Sequence, residues 1–187
     1  MQASTSVFQA RLFTKMPITA VVYREGWEVE NLLASISDDF NAAGLLLAGF
    51  VQRDRPRDDR HSCDMLLEDV ATGAQISISE DRGAGARGCK LDVSALLKAG
   101  ELARSALAGL PDLLVINKFG KTEHEGGGLR DLIVEAVAMS VPVLIAVPER
   151  NIESWLAFSE GLANNVFVTN LPQTPVGRFE ALGLSVG

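Results

Sequence analysis

The sequence predicts one α/β domain: a mostly parallel sheet with helices on both faces and an inserted β-hairpin. Three observations predict it. Short apolar runs (Ile18 to Tyr23, Leu45 to Gln52, Leu113 to Ile116, Val143 to Val147) have the length and β-branched content of strands buried on both faces. Segments with helical apolar spacing lie between them, as strand–helix alternation in a parallel sheet requires. One stretch breaks that alternation. Cys63 to Val70 and Gln75 to Ser79 read as two strands joined by Ala71-Thr72-Gly73-Ala74, a hairpin.

In chain order, Met1 to Met16 reads as a mobile leader, and residues 17–187 form the single domain. Pro17 introduces the first strand. Arg24-Glu25-Gly26-Trp27 is a short loop. Val29, Leu32, Leu33, Ile36 and Phe40 then recur on one helical face over Glu28 to Ala43, and Gly44 stops the helix. The second strand is Leu45 to Gln52. Arg53 to Ser62 reads as a solvated charged loop before the hairpin. A glycine-rich basic loop, Asp81 to Lys90, leads into a helix over Leu91 to Ala108. After the strand Leu113 to Ile116 comes Asn117-Lys118-Phe119-Gly120-Lys121, then a polar run and Gly126-Gly127-Gly128. Helices are expected over Leu129 to Met139 and Ile152 to Leu162, with a last strand over Val166 to Thr169. The tail containing Pro172 and Pro175 is expected to pack loosely.

Composition narrows the function. Asp and Glu number 24 against 17 Lys and Arg, a formal net charge of -7, which disfavours a nucleic-acid partner held by bulk electrostatics. The two cysteines, Cys63 and Cys89, are too few for a disulfide scaffold; they read as reduced thiols, with a disulfide or a shared site as alternatives. No apolar run approaches the roughly 20 residues that span a bilayer, and no secretory signal is evident. The expected compartment is the cytoplasm, with no membrane partner. No metal site is expected, because His61 and His124 lack ligand spacing with the cysteines.

Ligands of parallel sheets sit beyond the carboxyl ends of the strands. That rule selects the loops Arg24 to Glu28, Asp81 to Lys90, Asn117 to Gly128 and Pro148 to Asn151. An active phosphate cradle in the first loop needs GxxxxGK[ST], where amides and a lysine hold phosphates and a hydroxyl binds magnesium. Here Gly26 remains, Glu30 falls at the lysine position and Asn31 at the hydroxyl. Asn117 stands at the strand end where a magnesium-linked carboxylate would be, and an amide is a poor magnesium ligand.

The basic loop offers the alternative chemistry. Gly83, Gly85 and Gly88 let successive amides form an anion nest, with Arg82, Arg87 and Lys90 supplying charge and Cys89 alongside. A surface lid is the competing reading of the same loop. Asn117, Lys118, Lys121 and Arg130 add to the ligand edge. Lys121 and Glu125 are the candidates for catalysis, with Glu123 a further candidate base or metal ligand.

These motifs carry a resemblance. The run Cys63-Asp64-Met65 to Asp69, the stretch Asp81 to Asp92, and Asn117-Lys118-Phe119-Gly120-Lys121 with Glu125 to Asp131 resemble the bacterial family catalogued as domain of unknown function 2478, over Thr19 to Leu162. That family is similar to small RecA-like P-loop nucleoside-triphosphatases. Their second motif reads Asp-Glu-Ile-Gly-Lys-Met-Glu, against Asn117-Lys118-Phe119-Gly120-Lys121-Thr122-Glu123 here. The resemblance therefore implies a three-layer RecA-like fold with degenerate nucleotide motifs. It also implies an oxoanion ligand, since family members are often encoded beside molybdate-uptake genes.

The expectation is a non-hydrolysing binding or regulatory protein. Its ligand is a small anion: phosphate, molybdate or a nucleotide. The alternative is a divergent nucleoside-triphosphatase or phosphotransferase in which Lys118 or Lys121 replaces the lost lysine. A homodimer is left open.

Overall fold

The computed structural model describes residues 11–56, 63–80 and 91–187. Its elements in order are β1 (Leu12–Thr14), β2 (Ile18–Tyr23), α1 (Val29–Ala42), β3 (Leu47–Pro56), β4 (Cys63–Asp69), β5 (Gln75–Ser77), α2 (Val93–Leu107) and β6 (Leu113–Ile116). There follow α3 (Lys121–His124), α4 (Arg130–Ala138), β7 (Val143–Pro148), α5 (Ile152–Ser159), β8 (Ala163–Phe167), α6 (Pro175–Leu182) and β9 (Leu184–Val186).

Seven strands form one sheet in the order β5-β4-β3-β6-β7-β2-β8. The five from β3 to β8 run parallel, and the β4–β5 hairpin extends the β3 edge antiparallel. The expected class, a mostly parallel sheet between helical layers with an inserted hairpin, is the observed one.

Period-two alternation explains why the central strands read as continuous apolar runs. In β2, Ile18, Ala20 and Val22 face one layer, while Val21 and Tyr23 face the other. In β6, Leu114 and Ile116 oppose Leu113 and Val115 in the same way. The first layer is closed by Leu96, Ala99 and Ala103 of α2, Leu132 and Ile133 of α4, and Trp155 of α5. The second is closed by Leu33, Ile36 and Phe40 of α1 and Leu182 of α6. Each such large side chain contributes about 1.5–3 kcal/mol on burial. No helix among the described residues is long and apolar enough to cross a membrane.

Two glycines are required by close approach or turn geometry. A Cβ at Gly49, which pairs with Val115 across β3 and β6, would lie 1.9 Å from the Val115 carbonyl oxygen. Gly44 ends α1 at φ +85, a conformation that costs other residues energy.

The chain ends differ from expectation. Within the segment read as a leader, Leu12–Thr14 is a strand paired antiparallel with β9; residues 1–10 lie outside the described residues. The tail is docked rather than loose. Thr174 caps α6 by accepting from the Gly177 amide, and Phe179 stacks on Phe40 of α1 at 4.5 Å between ring centroids. Pro175 occupies the first helical position, where its missing N–H costs nothing.

The last sheet strand is β8, three residues earlier than expected. Its asparagines masked it: Asn164 donates to the Leu182 carbonyl at 2.8 Å, and Asn165 accepts from the Trp155 indole at 2.7 Å. Strand β3 continues through Arg53 to Pro56, into the stretch expected to be loop. Helix α5 stops at Ser159, where Glu160 turns left-handed at φ 46.

Candidate functional site

Tyr23, Ile116 and Pro148 are the last residues of β2, β6 and β7, and they bring three loops to one edge of the sheet. In the first loop Gly26 adopts φ +89, so the turn closes with the Trp27 amide donating to the Arg24 carbonyl at 3.3 Å. Helix α1 begins immediately after, placing Glu30 in its first turn.

Across the edge, the loop after β6 is held by backbone and side-chain bonds. The Phe119 amide donates to the Ala146 carbonyl at 2.9 Å, and the buried Asn151 amide donates to the Phe119 carbonyl at 2.9 Å. The Phe119 ring packs edge-on to Trp155 at 5.2 Å and stacks with Phe158 at 5.7 Å. Lys118 is thereby aimed at α1, and its Nζ lies 3.8 Å from Glu30 Oε1, both side chains less than one-third exposed. Two of the departures, Glu30 in the first loop and Lys118 in the second motif, therefore compensate each other: the carboxylate stands on the helix and the ammonium on the β6 loop.

Asn117, between β6 and Lys118, is 6 % exposed, and neither its amide nitrogen nor its carbonyl oxygen has a hydrogen-bond partner. A buried, unsatisfied amide is costly, about 1–3 kcal/mol for each lost partner, and this edge carries one such unused donor–acceptor pair.

Charge at the described edge is balanced pair by pair. Arg24 Nε lies 2.6 Å from Glu149 Oε2, and Arg150 pairs with Glu25, so the loops after β2 and β7 are strapped twice. Hydrogen bonding to Glu149 raises the Arg24 pKa further. Tyr23, 8 % exposed beneath these pairs, has its phenol pKa raised, first by burial and then by the negative charge of Glu30.

The remaining candidates separate. Lys121 and Glu125 are paired with each other at 3.7 Å on α3, one turn apart and largely exposed. Arg130 lies 4.4 Å over the Phe158 ring and donates to the Glu123 carbonyl. Glu123, expected as a base or metal ligand, is instead structural. It is 3 % exposed, and its carboxylate accepts from the Gly120 and Leu129 amides, both at 2.9 Å. Gly128 serves the same turn: a Cβ there would stand 2.0 Å from Glu123 Oε1. The sequence signal for this staple was Glu123 with Gly126-Gly127-Gly128 behind it. Arg82, Gly83, Gly85, Arg87, Gly88, Cys89 and Lys90 lie outside the described residues, as does His61.

A magnesium-bound triphosphate does not fit this set. Glu30 would repel the phosphates, and Asn117 is no substitute for a metal-binding carboxylate. Among the described residues, no three His, Cys, Asp or Glu side chains converge to hold a metal.

The profile of the family described as "Protein of unknown function (DUF2478)" matches residues 18–171. A molybdenum import ATP-binding protein, ModC 2 of Bradyrhizobium diazoefficiens, is 40% identical over 149 residues, which is 80% of this chain. The chain spans 17% of that relative's length. No solved structure matches. With the parallel order β3-β6-β7-β2-β8, the scaffold is RecA-like and P-loop-NTPase-like.

Proposed function

Because the chain belongs to the DUF2478 family of unknown function and has a P-loop-NTPase-like scaffold, we propose that it is a non-hydrolysing binding or regulatory protein for a small oxoanion or phosphate-bearing ligand. The observation that carries this reading is the Lys118–Glu30 pair beside the unpartnered Asn117 amide. The pair removes the cation that a triphosphate needs, while the amide supplies a neutral donor at the same edge. Neutral, directional donors suit a small tetrahedral anion better than a magnesium nucleotide.

The basic loop with Arg82, Arg87 and Lys90 supplies the charge in this proposal, and Lys118 contributes once Glu30 is screened. Molybdate enters as a ligand candidate from the name of the Bradyrhizobium relative, phosphate and nucleotides from the scaffold. The phosphotransferase alternative gains nothing from the geometry of Lys121 and Glu125, which pair with each other in solvent.

Titration calorimetry with phosphate, molybdate and nucleotides tests the reading. Saturable heat from at least one of them is expected. A folded sample that binds none of them contradicts it.

A further inference from the structure

A cavity lies beside the first turn of α1. It encloses about 420 Å³ between the first loop, the start of α1, the segment after β8 and α6. Trp27, Leu32, Val168, Leu171, Pro172 and Arg178 line it. A volume of this size falls within the range of small-molecule clefts, roughly 300–1,000 Å³.

Its chemistry is bipartite. Trp27 is 47% exposed, a large aromatic face left in solvent at the mouth, presented by the positive-φ turn at Gly26. Inside, the Arg178 side chain is only 14% exposed. Its terminal nitrogens make long contacts, 3.4 and 3.5 Å to the Ser35 hydroxyl and 3.5 Å to Asp39, while its Nε is buried with no hydrogen-bond partner. The guanidinium is thus fixed, ion-paired to Asp39 at long range, with only its Nε unbonded. Helix α6 holds it there through the Phe40–Phe179 stack and the Thr174 cap, and Gly177 lets the first turn sit against Pro172, 2.9 Å from where a Cβ would be. Glu28 at the rim is engaged by the Asn31 amide at 2.9 Å, and Asp39 is the carboxylate already facing Arg178.

We propose that this cavity binds a flat aromatic ring bearing one anionic group, the ring against Trp27 and the oxoanion on Arg178. Planar rings stack on indole faces, and a guanidinium holds a carboxylate or phosphate through directed, charge-assisted bonds. This site is separate from the sheet-edge reading and does not depend on it.

The chain's two tryptophans make the test direct. Trp155 is fully buried and bonded to Asn165, so a ligand in the cavity alters only Trp27 emission. The full-length protein is titrated with 5′-AMP, benzoate, adenosine and inorganic phosphate while tryptophan emission is followed. Saturable change is expected with 5′-AMP, benzoate or both, and the comparison of the two tells phosphate from carboxylate. Adenosine and phosphate alone should bind about ten-fold weaker or less, because each lacks one half of the match.

By calorimetry, Trp27→Phe should retain binding, while Trp27→Ala and Arg178→Gln should each weaken it about ten-fold. Trp27 is surface-exposed, so Trp27→Ala remains informative even where Arg178→Gln fails to fold. No Trp27 response to either ring-bearing anion overturns the proposal, as does adenosine binding as tightly as 5′-AMP. Heat from phosphate without any such response would uphold the sheet-edge reading and overturn this one.

Discussion

Lys118 Nζ and Glu30 Oε1 stand 3.8 Å apart across the ligand edge of the sheet. Their charges are reversed relative to the lysine-on-helix, acid-on-strand arrangement of a phosphate-cleaving site. The pair preserves neutrality while exchanging which element carries the cation.

Reversal should therefore be tolerated as a pair and not singly. Glu30→Lys alone places two ammonium groups side by side and should destabilise the fold; Glu30→Lys with Lys118→Glu should recover most of the loss. The coupling is expected to be about 1 kcal/mol, because the pair is partly solvated and not bidentate. Denaturant unfolding of the double-mutant cycle measures it. Additive single effects would mean that the two side chains do not interact in solution.

Glu123 should prove structural. Glu123→Ala leaves the Gly120 and Leu129 amides without their acceptor and should cost about 2–4 kcal/mol, judged from two lost charge-assisted bonds. Gly128→Ala should destabilise the same turn by more than about 1 kcal/mol, since φ 63 and the Glu123 carboxylate both exclude a Cβ. Thermal melts read both. A Glu123→Ala protein of unchanged stability would return Glu123 to the list of chemically active residues.

The parallel registration of β3 on β6 should depend on Gly49. Gly49→Ala drives a methyl into the Val115 carbonyl and should cost about 2 kcal/mol or more. Wild-type stability in equilibrium unfolding would show that the strands can separate there at little cost.

Much of this architecture was legible in the residues. The four central strands lie where continuous apolar runs placed them, because both faces of a central parallel strand are buried and periodicity collapses into a simple run. The loops selected at the strand ends included Asn117 and Asn151, and both are at the edge. Other features were hidden for identifiable reasons. Asn164 and Asn165 look like loop residues, yet on an edge strand they bond sideways to Leu182 and Trp155. The β1–β9 pairing joins residues 170 or more positions apart and leaves no local signature. Charge counting marked Lys118 and Lys121 as cations but could not show that each faces a carboxylate.

Tyr23 gives a pH prediction with a defined sign. Its phenol is held above its ordinary value of 10.0 by burial and by Glu30. The unfolded chain releases the proton near that ordinary value, while the folded chain retains it. The neutral phenol's contribution is therefore complete below about pH 10 and is lost as pH rises above it. Tyr23 is the only tyrosine in the sequence, so tyrosinate absorbance reports it alone. Its appearance should coincide with alkaline unfolding, and Tyr23→Phe should flatten the decline. A tyrosinate signal near pH 10 with the fold intact would contradict this.

On the proposed function, the P-loop-NTPase-like scaffold holds an anion without cleaving a nucleotide. Phosphate release from ATP and GTP with magnesium, measured on a sample whose anion binding has been established by calorimetry, tests it most directly. Saturable anion binding is expected, with no magnesium-dependent release above a no-protein control. Magnesium-dependent release that disappears in Lys118→Ala would contradict it.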